Sequence, residues 1–333
     1  MPNKDLSLIT NRPKISGSNI LVTGGAGFIG SHLVDRLLKE GAKEVVVIDN
    51  LFTGDESNLE DALKTKRVTF YRDDAELASS AEYIFANHKI DLVFNCATKA
   101  LNYSFLNPAN AFSTNVNVVL NLLELQRRGL FKTLCHFSTS EVYGSAVYEP
   151  MDELHPKNPT TTYAAGKAAA DLAVESYVKM FDLDAFIVRP FNNYGPRQNY
   201  KGYLAGIIPI TAWRILHDIA PELHGSGTQS RDFIYVHDTV DAVVKLYSVM
   251  PKGESVNIST DNQLSVKELL QKICSEMQYS GQVVNKPERK SDVLCHNASN
   301  KKVNEMIDYS LTDFEQGLRE TLNWYKSNIK VSA

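Results

Sequence analysis

Tyr163 and Lys167 stand four residues apart in TYAAGKAAADLAVESYV, a run of strong helix formers from Ala164 onward. Spacing of i and i+4 sets both side chains on one helical face. A free tyrosine, with a pKa of about 10, keeps its proton at neutral pH. A neighbouring ammonium favours the phenolate. So placed, the phenol can take a proton from a hydroxyl while hydride leaves the same carbon. The pair alone would equally suit an exposed polar face. Its position after STSEVYG (138–144) argues for chemistry, because that segment ends a strand. In doubly wound sheets, ligands bind at the carboxyl ends of the strands.

Gly24, Gly27 and Gly30 form the second constellation, spaced GxxGxxG between NILVT (19–23) and SHLVDRLLKEG. Small residues there allow a tight turn, a close backbone approach to a diphosphate, and packing of helix on strand. The helix start supplies free N–H groups and partial positive charge. Phe28 and Ile29, inside this turn, belong to the same candidate site. The next strand ends in Asp49, followed by Asn50. A carboxylate there accepts hydrogen bonds from both ribose hydroxyls and repels a 2′-phosphate, which predicts NAD over NADP.

The elements that must hold these residues follow from hydrophobic period. Apolar runs at 19–23, 44–49, 67–72, 91–97, 133–139 and 185–190 read as strands. Amphipathic helices after the glycine turn, at 76–88 and at 108–128 separate several of them. Continuous apolar strands alternating with helices predict a parallel sheet covered on both faces. The expected class is α/β, a Rossmann-type doubly wound parallel sheet with a smaller C-terminal substrate-binding lobe. Residues 1–18 read as an N-terminal extension, 19–190 as the NAD-binding domain and 191–333 mainly as the lobe. The segment 233–250 is expected to return to the first domain.

With 333 residues, 43% hydrophobic, 22% charged and a net charge of −4, the chain has ordinary soluble composition and no general pull toward nucleic acid. No run nears the ~20 apolar residues that span a bilayer, and the N-terminus lacks an apolar signal segment. Cys96, Cys135, Cys274 and Cys295 show no metal-site spacing, so reduced thiols, no metal and a cytoplasmic location are expected.

Taken in order, TGGAGFIGSH, DNLFTG, STSEVYG, YAAGK, RPFNNYGPRQ and GSGTQSRDFIYVHD resemble the extended short-chain dehydrogenase/reductase family, over about residues 19–325. Within it, the chain is most similar to the NAD-dependent nucleotide-sugar epimerases, dehydratases and decarboxylases. The resemblance implies that Thr139 hydrogen-bonds the sugar C4 oxygen, Tyr163 is the base and Lys167 holds the nicotinamide ribose. It implies adenine contact at Asp74, a polar residue near the active-site helix at Asn115, and cofactor contact at Ala97. Asn192 and Arg231 would meet the diphosphate of the sugar nucleotide, with Ser140 and Arg197 also on the substrate side. Arginine suits that task by its bidentate geometry. The segment 198–210 is expected to meet the nucleotide. A homodimer through the 108–128 helix and the Tyr163 helix is implied as well; Val116, Val119, Leu120 and Leu123 fit either that contact or the sheet face.

Two departures bear on the reaction. Lys99 follows Asn95-Cys96-Ala97-Thr98, near the expected nicotinamide, either solvated or bound to a substrate anion. Thr139-Ser140-Glu141 replaces the Thr-Asp-Glu of deoxythymidine-sugar dehydratases, so their aspartate acid is missing. All three chemistries begin with oxidation at C4, and the 4-keto group acidifies the C5 proton. Glu141 could remove that proton and drive loss of water from C6, a step a 4-epimerase does not need. A 4,6-dehydratase therefore ranks first, a 4-epimerase second and a UDP-glucuronate-type decarboxylase third. A non-catalytic NAD-binding sensor or scaffold is the contrasting class, disfavoured by the intact Thr139, Tyr163 and Lys167 set.

Overall fold

The computed structural model describes residues 12–287 and 295–330. Seven parallel strands form the central sheet: β1 (Asn19–Thr23), β2 (Glu44–Ile48), β3 (Val68–Tyr71), β4 (Leu92–Asn95), β5 (Thr133–Phe137), β6 (Asp184–Pro190) and a last strand, Ser255–Ile258. From one edge the order is Ser255–Ile258, β6, β5, β4, β1, β2, β3. Strand order therefore reverses between β1 and β4, whose carboxyl ends open a crevice for a ligand.

Alternation along β1 shows how the faces are covered. Ile20 and Val22 pack with Leu33 and Leu37 of α1 (Phe28–Lys39), whereas Leu21 faces the opposite core. After α2 (Glu60–Lys64) and α3 (Ala78–Asn87) come α4 (Pro108–Arg127) and α5 (Thr162–Phe181), which cover that second face. Val119 and Leu123 are buried against the sheet with Val118 and Leu122, while Val116 and Leu120 are half-buried. Close approach of α4 and α5 depends on small residues: a Cβ on Gly166 would lie 2.7 Å from the Phe112 carbonyl oxygen.

After Pro190 the chain leaves the sheet through β7 (Asn192–Tyr194), α6 (Ile207–Leu216), β8 (Glu222–His224), β9 (Ser230–Arg231) and β10 (Phe233–Tyr235). Helix α7 (Val236–Tyr247) then packs on α1, its Val240, Val243 and Leu246 joining the first core. Ser255–Ile258, now β11, pairs parallel with β6 and completes the sheet. The chain then forms β12 (Leu264–Ser265), α8 (Val266–Glu276), α9 (Lys301–Met306) and α10 (Phe314–Asn328). A separate core of Tyr194, Ile208, Leu269, Leu322 and Tyr325 fills this second layer.

Of the N-terminal segment, residues 1–11 lie outside the described residues. Residues 12–18 lie against the sheet: Arg12 donates to Asp184 at 2.6 Å and to the Tyr247 carbonyl at 2.6 Å. No helix among the described residues is long and apolar enough to cross a membrane.

Candidate active site

Two adjoining cavities open at the carboxyl ends of the strands. The first, of about 360 Å³, is bounded by the turn after β1, the end of β2 and the ends of β4 and β5. Gly24, Gly27, Phe28, Ile29, Gly30, Asp49, Asn50, Asp74, Ala97 and Lys167 all line it. The glycine turn is packed to its limit, since a Cβ on Gly30 would fall 2.2 Å from the Gly24 carbonyl oxygen. No side chain caps the start of α1. Its first-turn N–H groups, which a helix cannot satisfy internally, are left to the cavity.

Asp49 closes the far side. Its Oδ2 accepts from the Ala26 N–H at 3.0 Å and its Oδ1 from the Leu51 N–H at 2.8 Å. Burial raises its pKa, which these N–H donors oppose. A carboxylate oxygen accepts more than one hydrogen bond, so both retain capacity for hydroxyl donors. Asn50 donates to Asp74 at 2.7 Å, making one polar rim from two predicted residues. An anion-binding helix start, a fixed acceptor carboxylate and a lysine on one cavity make a donor set that fits a dinucleotide.

The second cavity, about 500 Å³, lies between the sheet and the outer layer. Glu141, Asn192 and Arg231 line it, as do Gln198 and the segment Leu204–Ile210. Thr139 and Tyr163 belong to both cavities and form the seam between them. Thr139 caps a short helical turn, its Oγ1 accepting from the Glu141 N–H at 3.2 Å. The start of α5 is fixed by Thr161, which accepts from Ala164 N–H at 3.2 Å, and by Ser104, which accepts from Tyr163 N–H at 2.9 Å.

Burial pushes the Tyr163 phenol up to about 12, and the Glu141 charge adds to this; hydrogen bonds from the side chains of Thr139 and Thr98 pull it back. Burial lowers Lys167 to about 8, opposed by the nearby Asp171 carboxylate. The Lys167 ammonium donates to the Phe137 carbonyl at the end of β5. Lysine and tyrosine thus sit on one face of α5, though Lys167 is anchored to the sheet.

Some predicted residues lie elsewhere. Arg197 pairs with Asp35 of α1 at 2.7 Å and lines neither cavity. Ser140 is buried behind Thr139 and also lines neither. Asn115 stands one layer back, its Oδ1 accepting from Thr98 Oγ1 at 2.9 Å and from Lys99 N–H at 3.0 Å. Lys99 lines the first cavity with its ammonium 3.9 Å from the centre of the Phe52 ring. Other lining residues were not singled out: Thr98, Asn193 on both cavities, although it sits in the RPFNNYGPRQ motif, and Arg214 with Glu222, paired at 3.0 Å. Among the described residues, no cluster of His, Cys, Asp and Glu could hold a metal, and Cys96, Cys135 and Cys274 are free thiols.

The sequence pattern of the NAD dependent epimerase/dehydratase family matches residues 20–259. The chain belongs to this family. It is an NAD-dependent enzyme of the epimerase/dehydratase type, and the glycine-turn cavity fits that cofactor. A putative UDP-glucose 4-epimerase of Methanocaldococcus jannaschii is 33% identical over 93% of this chain and 99% of its own length. The Thermotoga maritima UDP-glucose 4-epimerase, solved with UDP-glucose, superposes with a TM-score of 0.88 at 32% identity, covering 94% of this chain and 100% of that one. The Streptomyces venezuelae dTDP-glucose 4,6-dehydratase, solved with NAD, gives 0.87 at 29% identity, covering 93% and 97%. Family members similar to this chain thus include both epimerases and dehydratases.

Proposed function

We propose that the protein is a nucleotide-sugar 4,6-dehydratase. The observation that carries this reading is Glu141, a carboxylate lining the second cavity two residues from Thr139 and close enough to Tyr163 to raise its pKa. The first cavity would hold NAD: α1 N–H groups at the diphosphate, Asp49 at the adenosine ribose and Lys167 at the nicotinamide ribose. Bound there, NAD supplies the hydride acceptor and donor. Thr139 would orient the C4 hydroxyl and Tyr163 would take its proton. Glu141 would then remove the C5 proton made acidic by the C4 ketone as the C6 hydroxyl, protonated by solvent, leaves as water. C6 would take back the hydride lost from C4, and C5 a proton from Glu141. Arg231 and Asn192 would bind the diphosphate of a uridine- or thymidine-type sugar nucleotide, such as the relatives use.

A 4-epimerase is the second reading. One of the similar proteins is a UDP-glucose 4-epimerase and another a putative one, and Ser140 stands where thymidine-sugar dehydratases place their acid. Incubation with a panel of sugar nucleotides in deuterated water, followed by NMR, separates these. Dehydration gives a 6-deoxy-4-keto product with deuterium at C5. Inversion at C4 without exchange at C5 would sink it in favour of epimerisation. Released carbon dioxide would point to decarboxylation, with Lys99 as its carboxylate partner, and tight NAD binding without turnover to a sensor or scaffold. Glu141→Gln should abolish C5 exchange while C4 oxidation continues; unchanged exchange removes Glu141 from the mechanism.

We also propose a homodimer through α4 and α5. Exposed Phe112, Leu172 and Met180 on these helices support it.

A further inference from the structure

Asp232 is fully buried, yet it belongs to neither cavity. It is the single residue between β9 and β10, which lie in different small sheets. Its carboxylate receives the turn that leaves β11. Thr260 donates to Oδ1 through its N–H at 2.9 Å and its hydroxyl at 2.8 Å, and the Asp261 N–H donates to Oδ2 at 2.9 Å. That turn leads into β12, whose Leu264 pairs with Arg231. On its main-chain side, the Asp232 carbonyl accepts both the N–H and the side-chain amide of Asn192, each at 3.1 Å.

One buried residue therefore fixes both flanks of the second cavity: Arg231 precedes it directly, and Asn192 is bonded to its carbonyl. We infer that Asp232 is a positioning residue, holding Arg231 and Asn192 at the spacing that clamps a nucleoside diphosphate. This rests on the diphosphate reading of the second cavity given above. An asparagine in its place keeps the shape but aims amide hydrogens at one set of fixed donors. A buried donor facing a donor loses its partner, and the β11 turn must shift. Both clamp residues would move with the strand, whereas Asp49 and the glycine turn, held by their own hydrogen bonds from Ala26 and Leu51 to Asp49, would move less.

The test uses the full-length protein with UDP, dTDP, GDP and CDP as probes, taking whichever binds most tightly. Asp232→Asn should raise its Kd roughly tenfold while the Kd for NAD changes less than about twofold. At saturating probe, the ³¹P shift that the wild type imposes on the diphosphate should be lost, as in Arg231→Ala. Thr260→Val, which deletes only the hydroxyl donor, should move both readouts less and in the same direction; it decides the matter if Asp232→Asn also loses NAD. Wild-type Kd and ³¹P shift in Asp232→Asn, with Arg231→Ala impaired, overturn the positioning role. No binding by the wild type, or full binding by Arg231→Ala, overturns the diphosphate reading and the inference with it.

Discussion

Asp49 and Ala26 are joined at 3.0 Å, the carboxylate at the end of β2 accepting the N–H in the middle of the glycine turn. The residue that would select the ribose also holds the loop that would cradle the diphosphate. Asp49→Asn can still accept at one oxygen but places an amide against one of its two N–H donors. The expected outcome is at least a tenfold rise in the Kd for NAD, from about 1.4 kcal/mol or more of lost hydrogen bonding. Because the charge opposing a 2′-phosphate is removed, preference for NAD over NADP should narrow. Titration calorimetry with both dinucleotides measures both effects.

Gly30 gives a sharper expectation. Alanine there would bring a Cβ to 2.2 Å from the Gly24 carbonyl oxygen, a backbone atom that cannot swing aside. Gly30→Ala should open the turn and reduce NAD binding beyond detection at micromolar protein. Wild-type affinity in that variant would show that the turn can relax.

Thr98 connects Tyr163 to Asn115, hydrogen-bonding the one and donating to the other at 2.9 Å. When Tyr163 ionises, the Thr98 hydroxyl can turn its single hydrogen from Asn115 to the phenolate, which lowers the phenol's pKa, so Thr98→Val should raise it further. The pH–rate limb that reports deprotonation of Tyr163 should then move to higher pH. Activity at neutral pH should fall about tenfold. A limb that stays in place would remove Thr98 from the tuning of the base.

Lys167 should titrate within reach of physiological pH. Burial lowers it from 10.5 to about 8, so the ammonium is present below that value and lost above it. NAD affinity should fall as pH rises through about 8, and Lys167→Met should be weak and flat across the range. By linkage, this group's contribution to stability has the opposite sign. Between about 8 and 10.5 the unfolded chain holds a proton that the native chain has released, so this contribution rises with pH.

The Arg189–Asp171 pair tests the scaffold under the site. Both side chains are buried, and the guanidinium donates twice to Asp171 Oδ2, at 2.9 and 3.1 Å. Asp171→Ala leaves a buried cation with only the Glu175 carboxylate, 4.0 Å away, and should cost about 3–5 kcal/mol, measured by urea denaturation. Losing the carboxylate that holds Lys167 up should also move the NAD-affinity limb to lower pH.

The candidate site is legible in the sequence where its residues are local. A glycine turn, a carboxylate at a strand end and a Tyr–Lys pair one helical turn apart each show in a short window. Asn193 lay inside a motif and Thr98 at a strand end, yet neither was assigned a place in the site, because their neighbours come from segments distant in sequence that the sheet brings together. Arg197 sits in a motif-like run, yet its partner is Asp35, and no local pattern announces a pair across that distance. The strand Ser255–Ile258 was not anticipated: SVNI is short, follows the outer layer, and gains its meaning only beside β6. In the same way, Asp232 lies inside the GSGTQSRDFIYVHD motif, but nothing in that run shows that it is buried or that it receives the turn after β11.

That late strand bears on how the protein is made. Val256 and Ile258 lie along Val188 and Pro190 of β6, so β6 remains a sheet edge until the ribosome has delivered residue 258. During that interval AFIVRP presents unpaired main-chain groups on a strongly apolar strand, the kind of edge that recruits other chains. Nascent chains halted between β6 and β11 should therefore bind chaperones and aggregate, although every motif of the cofactor turn and the Tyr–Lys helix is already synthesised.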